Sequence, residues 1–388
     1  MKKIIVALRS YRIRNLNFRL IIYTVALSII GINVIGSASD DASQPQKQLI
    51  GLIVGVFAML ILALVKYDFI ARYYWLCYIA AIGLLVLVLL NGVTRSGAQR
   101  WIMIGGESGI QVQPSEICKI LLIIFFSALL TKYKKHINTF KFLALAVVLF
   151  AIPLVLIFME PDLSTTIVVF IIFCAIIVSS EISWKILAWA GSIGVVLIAG
   201  VLALILILPA DNNIIDEYQY NRIIGFFDED SEVSEDISYQ QENSVMAIAS
   251  GGLTGKGLNN NSVTSVKNAD YISEPETDFI FTIVGEELGF VGSTAVVILL
   301  ALVVFECFLT GYRAREGIGR SIAIGIGVMF GIQSFFNIAV ATMIIPNTGL
   351  TLPFLSYGLS SLITSFISIG IVLNIGLQRR TTMNVEAL

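Results

Sequence analysis

Apolar runs of about 20 residues recur along the whole chain, and no other feature restricts its fold as strongly. A helix of that length crosses the hydrocarbon core of a bilayer. Candidate spans fall at 20–38, 48–65, 73–91, 116–131, 142–159, 163–180, 184–208, 279–312, 320–345 and 352–377. In lipid every backbone polar group must be satisfied internally, so these runs predict helices. The expected fold is an all-α polytopic membrane protein with about ten transmembrane helices. Residues 1–388 read as a single integral membrane domain. A composition of 57% hydrophobic and 13% charged residues agrees, since a soluble core does not need it.

The start, MKKIIVALRSYRIRNLNFR, is basic. The GSAS after the first run resembles a signal cleavage site, but the run is too long for a typical signal and predicts an uncleaved anchor. Charge placement sets the orientation. With the N-terminus inside, 18 of the 25 basic residues fall on inner segments, and Lys119 falls within a span. Only Lys47, Arg95, Arg100, Arg222, Lys256 and Lys267 fall outside. The positive-inside rule then puts both tails, 1–18 and 379–388, in the cytoplasm. It also puts every unusual polar motif on the outer face.

Several chemistries drop out. The only histidine, His136, lies in a Lys-rich inner connection, which removes Ser–His triads and His-rich metal sites. Cys77, Cys118, Cys174 and Cys307 all lie in apolar runs and read as small buried hydrophobes, without CxxC spacing. Nothing in the sequence points to nucleic acid.

The connection 209–277, between spans seven and eight, is too long for an ordinary helix link. It carries 13 acidic and 3 basic residues. Val245, Ile248 and Ala249 are spaced for a short helix lying on the membrane surface, which Gly251, Gly252, Gly255 and Gly257 then break. The segment ends in PETDFIFTIVGEELGF, with Asp278 at the mouth of span eight. An acid there reads either as a charge stabilised by the helix dipole or as a functional carboxylate at the membrane edge. From Asp278 to Tyr312 a helix would run about 50 Å, longer than a bilayer core, so it protrudes or breaks near Gly285 or Gly289. Glu286 and Glu287 then face a polar cavity or the interface.

Three other outer motifs stand out. In RSGAQRWIMIGGESGIQVQPSEICKI, Glu116 and Lys119 share one helix face just below the surface. They read equally as a structural ion pair and as a cavity wall for an anionic substrate. Trp101 in the same motif also suits a plain interfacial anchor. EPDLSTT, with Glu160 and Asp162, reads as a solvated turn with a helix N-cap. GGLTGKGL lacks phosphate-loop spacing; it is a turn or a strap carrying Lys256. In PNTGLTLPFLSYGLSSL, Pro346, Pro353 and Gly358 predict broken helices lining a cavity.

In this order, SAS, GAQRWI, QPSEICKI, PDLSTT, RIIGFF, AIASGGLTGKGL, TDFIF with GEELGFVG, and TGLTLPFLSYGLSSL resemble the SEDS family of RodA, FtsW and SpoVE proteins. The resemblance covers about Asn17 to Arg380. It implies a peptidoglycan glycosyltransferase that polymerises lipid II at the outer face of the bacterial cytoplasmic membrane. Asp278 matches the family's essential acid and becomes the expected general base. Trp101, Glu116, Lys119, Lys256 and Ser356 match its other sensitive positions. A class B penicillin-binding protein, a transpeptidase, is the expected partner, alongside membrane lipid. The acidic loop faces an anionic substrate, so a divalent cation, Mg²⁺ or Mn²⁺, is expected between carboxylates and diphosphate. Glu229, Glu276, Asn243, Glu160 and Leu359 depart from the usual family residues. The short tails favour a RodA-like elongation member. A lipid II flippase and a non-catalytic scaffold for a transpeptidase are the rival readings.

Overall fold

The computed structural model describes residues 16–39, 41–95, 98–104, 110–188, 192, 220, 234–259, 272 and 275–378. In chain order the helices are α1 (Phe18–Ala38), α2 (Ser43–Leu64), α3 (Tyr67–Arg72), α4 (Tyr74–Asn91), α5 (Pro114–Lys132), α6 (Phe140–Met159), α7 (Leu163–Val178), α8 (Ser234–Ser250), α9 (Ile280–Tyr312), α10 (Gly317–Ala341) and α11 (Leu359–Leu377). Eight of them are long and apolar enough to cross a bilayer, and α7 is apolar but shorter. Nine of the ten expected spans are therefore present among the described residues. The seventh, 184–208, is helical over 184–188 and at 192 and otherwise lies outside them.

α5 is the central helix. It is apolar on all sides and buried nearly throughout, as a helix enclosed by others must be. Phe125 packs on Tyr78 of α4 at 4.4 Å between ring centroids, and Phe126 on Phe173 of α7 at 4.8 Å. The peripheral helices keep apolar residues such as Phe57, Leu76, Ile79 and Phe305 on their outer faces. In a bilayer those faces meet lipid. Lipid removes the hydrophobic drive between helices, so close packing has to replace it. α2 and α11 pack in this way: a Cβ added at Gly370 would lie 2.6 Å from the Met59 carbonyl.

α1 and α9 run antiparallel and are tied at both ends. Asn17 Nδ2 donates to Glu306 at 2.7 Å, with Arg19 3.8 Å from the same carboxylate. At the other end Ser37 Oγ donates to Glu287. α9 is not straight. It breaks at Gly289, whose φ of 64° is open to glycine and costly for other residues. The expected break thus falls at the second of the two candidate glycines.

Three details differ from the sequence expectation: a small sheet, the bounds of α10 and the start of α11. Three strands, β1 (Val93–Arg95), β2 (Ala98–Ile104) and β3 (Ile110–Val112), form a small antiparallel sheet in that spatial order. Such short strands carry too little alternation to register as a pattern. α8 keeps Val245 and Ala249 exposed and Ile248 half-buried, the apolar face expected to meet the membrane surface. It turns Gln241, Ser244 and Ala247 inward against α9 and α10, while Val245 and Met246 are exposed. Gln241 Nε2 donates to Val340 and Ile345 carbonyls, both at 2.9 Å, so burying this polar face leaves its amide satisfied. α10 spans Gly317–Ala341 rather than 320–345, and α11 starts at Leu359 rather than 352. Between them Pro346, Pro353 and Gly358 hold 342–358 irregular, because proline offers no N–H to a helix.

Candidate active site

Asp278 sits in the turn just before α9, half-buried. The irregular segment 342–358 packs against that turn and fixes its backbone. Ser356 Oγ donates to the Thr277 carbonyl at 2.6 Å and accepts from Leu352 N at 2.8 Å. Tyr357 N donates to the Glu276 carbonyl at 2.9 Å. Asn337, buried in α10, donates to the carbonyls of both Asp278 and Leu350, at 2.8 and 2.7 Å. α2 closes the same mouth: Gln44 Nε2 donates to Glu276 at 2.9 Å, and Gln48 Nε2 to the Ser356 carbonyl at 2.9 Å. Burial, then Asp41 and Glu276, raise the Tyr357 phenol above its usual range, so it is an O–H at neutral pH.

Lys256 lies two turns of helix further along. Its ammonium is 2.7 Å from Glu286, a carboxylate with no exposure. Its backbone N–H donates to the Glu286 carbonyl at 3.0 Å, and that of Gly257 to the Glu287 carbonyl at 3.0 Å. Gly251 and Gly255 allow this approach; a Cβ at Gly255 would collide with the Glu287 carbonyl. The glycine segment is therefore a strap on α9, which leaves the phosphate-loop reading without support.

Glu116 and Lys119 form a 2.7 Å pair on the first turns of α5, only 6% and 1% exposed. They reach the mouth through the chain, since Gln113 N donates to Ser360 Oγ at the start of α11. Trp101 is half-buried on β2, paired across to Val93. Its neighbour Arg100 donates to the carbonyls of Glu160 and Pro161. The structure thus seats the Asp278 turn on Ser356 through the Thr277 carbonyl and pairs Lys256 with Glu286 on the helix that follows, while Trp101 lies on β2 and Glu116 and Lys119 on α5.

The EPDLSTT corner departs from the solvated turn expected of it. Asp162 does cap α7, accepting from Thr165 N at 3.0 Å, yet it is buried. Glu160 has 0% exposure, and neither carboxyl oxygen has a hydrogen-bond partner among the described residues. Burial, then Asp162, push its carboxyl up to about 8, with Arg100 pulling the other way. It is therefore mostly protonated at neutral pH, which removes the cost of burying an ion. An unfolded chain ionises it near 4.5. Between those values the folded chain holds the extra proton, so stability falls as pH rises through that window. Glu160→Gln copies the neutral form and should flatten that decline. Thermal midpoints in detergent at about pH 5 and about pH 8 check this; equal pH slopes for both proteins would contradict it.

Sequence reading missed Asn337, Gln44, Gln48 and Ser37. An amide inside an apolar run was the available signal, because such groups in membranes mark partners. Among the departures, Glu276 accepts from Gln44 and Asn243 Nδ2 donates to the Tyr239 carbonyl at 2.7 Å. Leu359 opens α11 against Gly51 of α2. Glu229 lies outside the described residues.

The fold and site define a polytopic helical membrane protein with its polar chemistry gathered at one end around a helix-mouth carboxylate. A sequence profile of the FtsW, RodA and SpoVE proteins, described as cell cycle proteins, matches residues 15–381. The chain belongs to that family, the SEDS proteins. It is 33% identical over 376 residues to stage V sporulation protein E of Bacillus subtilis (strain 168), across 93% of this chain and 97% of that protein. It is 31% identical over 373 residues to a probable peptidoglycan glycosyltransferase FtsW of Wigglesworthia glossinidia brevipalpis, across 92% of each. A solved structure described as "Structural coordination of polymerization and crosslinking by a peptidoglycan synthase complex" shares the fold. Its TM-score is 0.75 over 93% of this chain and 97% of that one, at 24% identity.

Proposed function

We propose that this chain is a peptidoglycan glycosyltransferase that polymerises lipid II at the outer face of the bacterial cytoplasmic membrane, with Asp278 as general base. The observation that carries the reading is the seating of Asp278. The backbone of its turn is fixed at the Glu276, Thr277 and Asp278 carbonyls by Tyr357, Ser356 and Asn337, at the mouth of a membrane helix. Relatives that match nearly end to end, one of them named as such a transferase, support the reaction class. Asp278 takes the proton of the acceptor GlcNAc 4-hydroxyl. That oxygen bonds to the donor anomeric carbon as the bond to the diphosphate oxygen breaks. The diphosphate leaves with the electron pair, and the configuration inverts.

Lys119 and Lys256 are the candidate partners of the diphosphate. Both are already paired with carboxylates, and the Lys256 side chain is the more accessible at 18% exposure. The charge count supports a cytoplasmic position for both termini. A class B penicillin-binding protein is the proposed partner; the polymerization and crosslinking complex that shares this fold supports it. An elongation role remains the proposed subfamily.

A divalent cation stays part of the proposal, but the described residues do not form a site for it. Among them no three His, Cys, Asp or Glu side chains gather to hold a metal, and Glu286 and Glu287 are engaged by Lys256 and Ser37. Excess chelator should abolish activity, and Mg²⁺ or Mn²⁺ should restore it; full activity in chelator would remove the cation. The function itself is tested with purified protein and labelled lipid II, alone and with the transpeptidase. Glycan chains are the expected product. Translocation without chains would favour the flippase, and absence of both the scaffold.

A further inference from the structure

We infer that the strap 251–259 is a positioning element that holds the Asp278 end of α9 in place, by taking over the hydrogen bonds lost where that helix breaks. In an unbroken helix Phe290 N–H would donate to the Glu286 carbonyl and Val291 N–H to that of Glu287. The turn at Gly289 separates these groups. The strap satisfies all four. Lys256 N and Gly257 N donate to the Glu286 and Glu287 carbonyls, both at 3.0 Å. Phe290 N and Val291 N donate to Gly252 and Leu253 carbonyls at 2.9 and 3.1 Å.

Two lost bonds become four, and the segment 280–288 gains a hold independent of the rest of α9. The Lys256 ammonium closes the clasp on Glu286. Close contact is built into both partners. A Cβ at Gly255 would meet the Glu287 carbonyl, and one at Gly289 would meet Gly255 N. Asp278 stands two residues before this held segment, at an end where small displacements matter: a shift of about 1 Å in a reacting group can cost about 10²-fold in rate. Lys256 thus works through Glu286 and its own backbone, whatever its ammonium does for substrate.

The inference rests on Asp278 being the base, so the test has one arm that reads the clasp and one that reads the reaction. Gly255→Ala pushes the strap off α9. Trypsin cleavage after Lys256 should then accelerate in the folded protein, because the strap has lost its backbone partners. In the lipid II assay kcat should fall roughly tenfold or more while KM stays within about threefold. Should Gly255→Ala fail to fold, Gly289→Ala carries the same test, since it favours a straight helix that expels the strap. Faster cleavage with unchanged kcat would overturn the positioning role. A raised KM with unchanged kcat would make the strap a substrate-binding loop instead. Unchanged cleavage in a folded variant would show that the clasp does not hold the strap. If the unaltered protein makes no glycan, the base assignment fails, and the trypsin arm still reports on the clasp.

Discussion

Asp278→Asn is expected to abolish detectable glycan polymerisation while the protein remains inserted and folded. The exchange keeps the side chain's shape and removes its capacity to take a proton. A general base contributes about 10²–10⁴-fold, so activity falls by at least that order. The backbone carbonyl of residue 278 accepts from Asn337 in either form, so this hold on the turn survives the exchange. Labelled lipid II, with chain length read on a gel and the thermal midpoint measured in parallel, checks both halves. A fully active Asn variant would sink the base assignment. A scaffold would show no effect of this change on the cognate transpeptidase.

Glu116→Ala is expected to be the largest loss of stability. Lys119 is 1% exposed and its ammonium has Glu116 at 2.7 Å. Removing the carboxylate leaves a buried charge unpaired inside a membrane protein, which costs about 3–5 kcal/mol for pairs of this kind. The double variant Glu116→Gln with Lys119→Met removes both charges and should recover most of that stability. Thermal unfolding in detergent measures the first effect. The lipid II assay on the double variant then separates the two readings of the pair. A stable but inactive double variant means that the charges meet substrate, whereas a stable, active one means that they serve packing alone. A single variant as stable as the parent would show that Lys119 finds another anion.

Much of this was legible in the residues. The spans follow from run length, because a bilayer imposes one thickness on every helix. The break in α9 followed from the same arithmetic applied to 35 residues from Asp278 to Tyr312. Resemblance marked Ser356 as a sensitive position, but its contact with the Asp278 turn was not legible, because their separation in sequence carries no signal of contact. For α8 the apolar spacing marked the outward face, while the polar contacts of its inner face were not legible. Its Gln241 and Ser244 face protein, and Met246 faces out. The 93–112 sheet was missed because its strands are three to seven residues long. Glu160 was read as solvated because a sequence shows an acid in a turn but not the Arg100 guanidinium drawn over that turn.

The double fastening of α1 to α9 sets a gauge length. Asn17 and Ser37 are 20 residues apart on one helix, and Glu306 and Glu287 are 19 apart on the other. Both paths cover about 30 Å, although one of them contains the turn at Gly289. The break therefore redirects α9 without shortening it. A substitution along either rod changes local packing and leaves the two fasteners opposite each other. An inserted or deleted residue moves one fastener by about 1.5 Å and swings it about 100° around its axis, so only one end can stay joined. Between these four residues the number of residues is fixed more tightly than the identity of most of them.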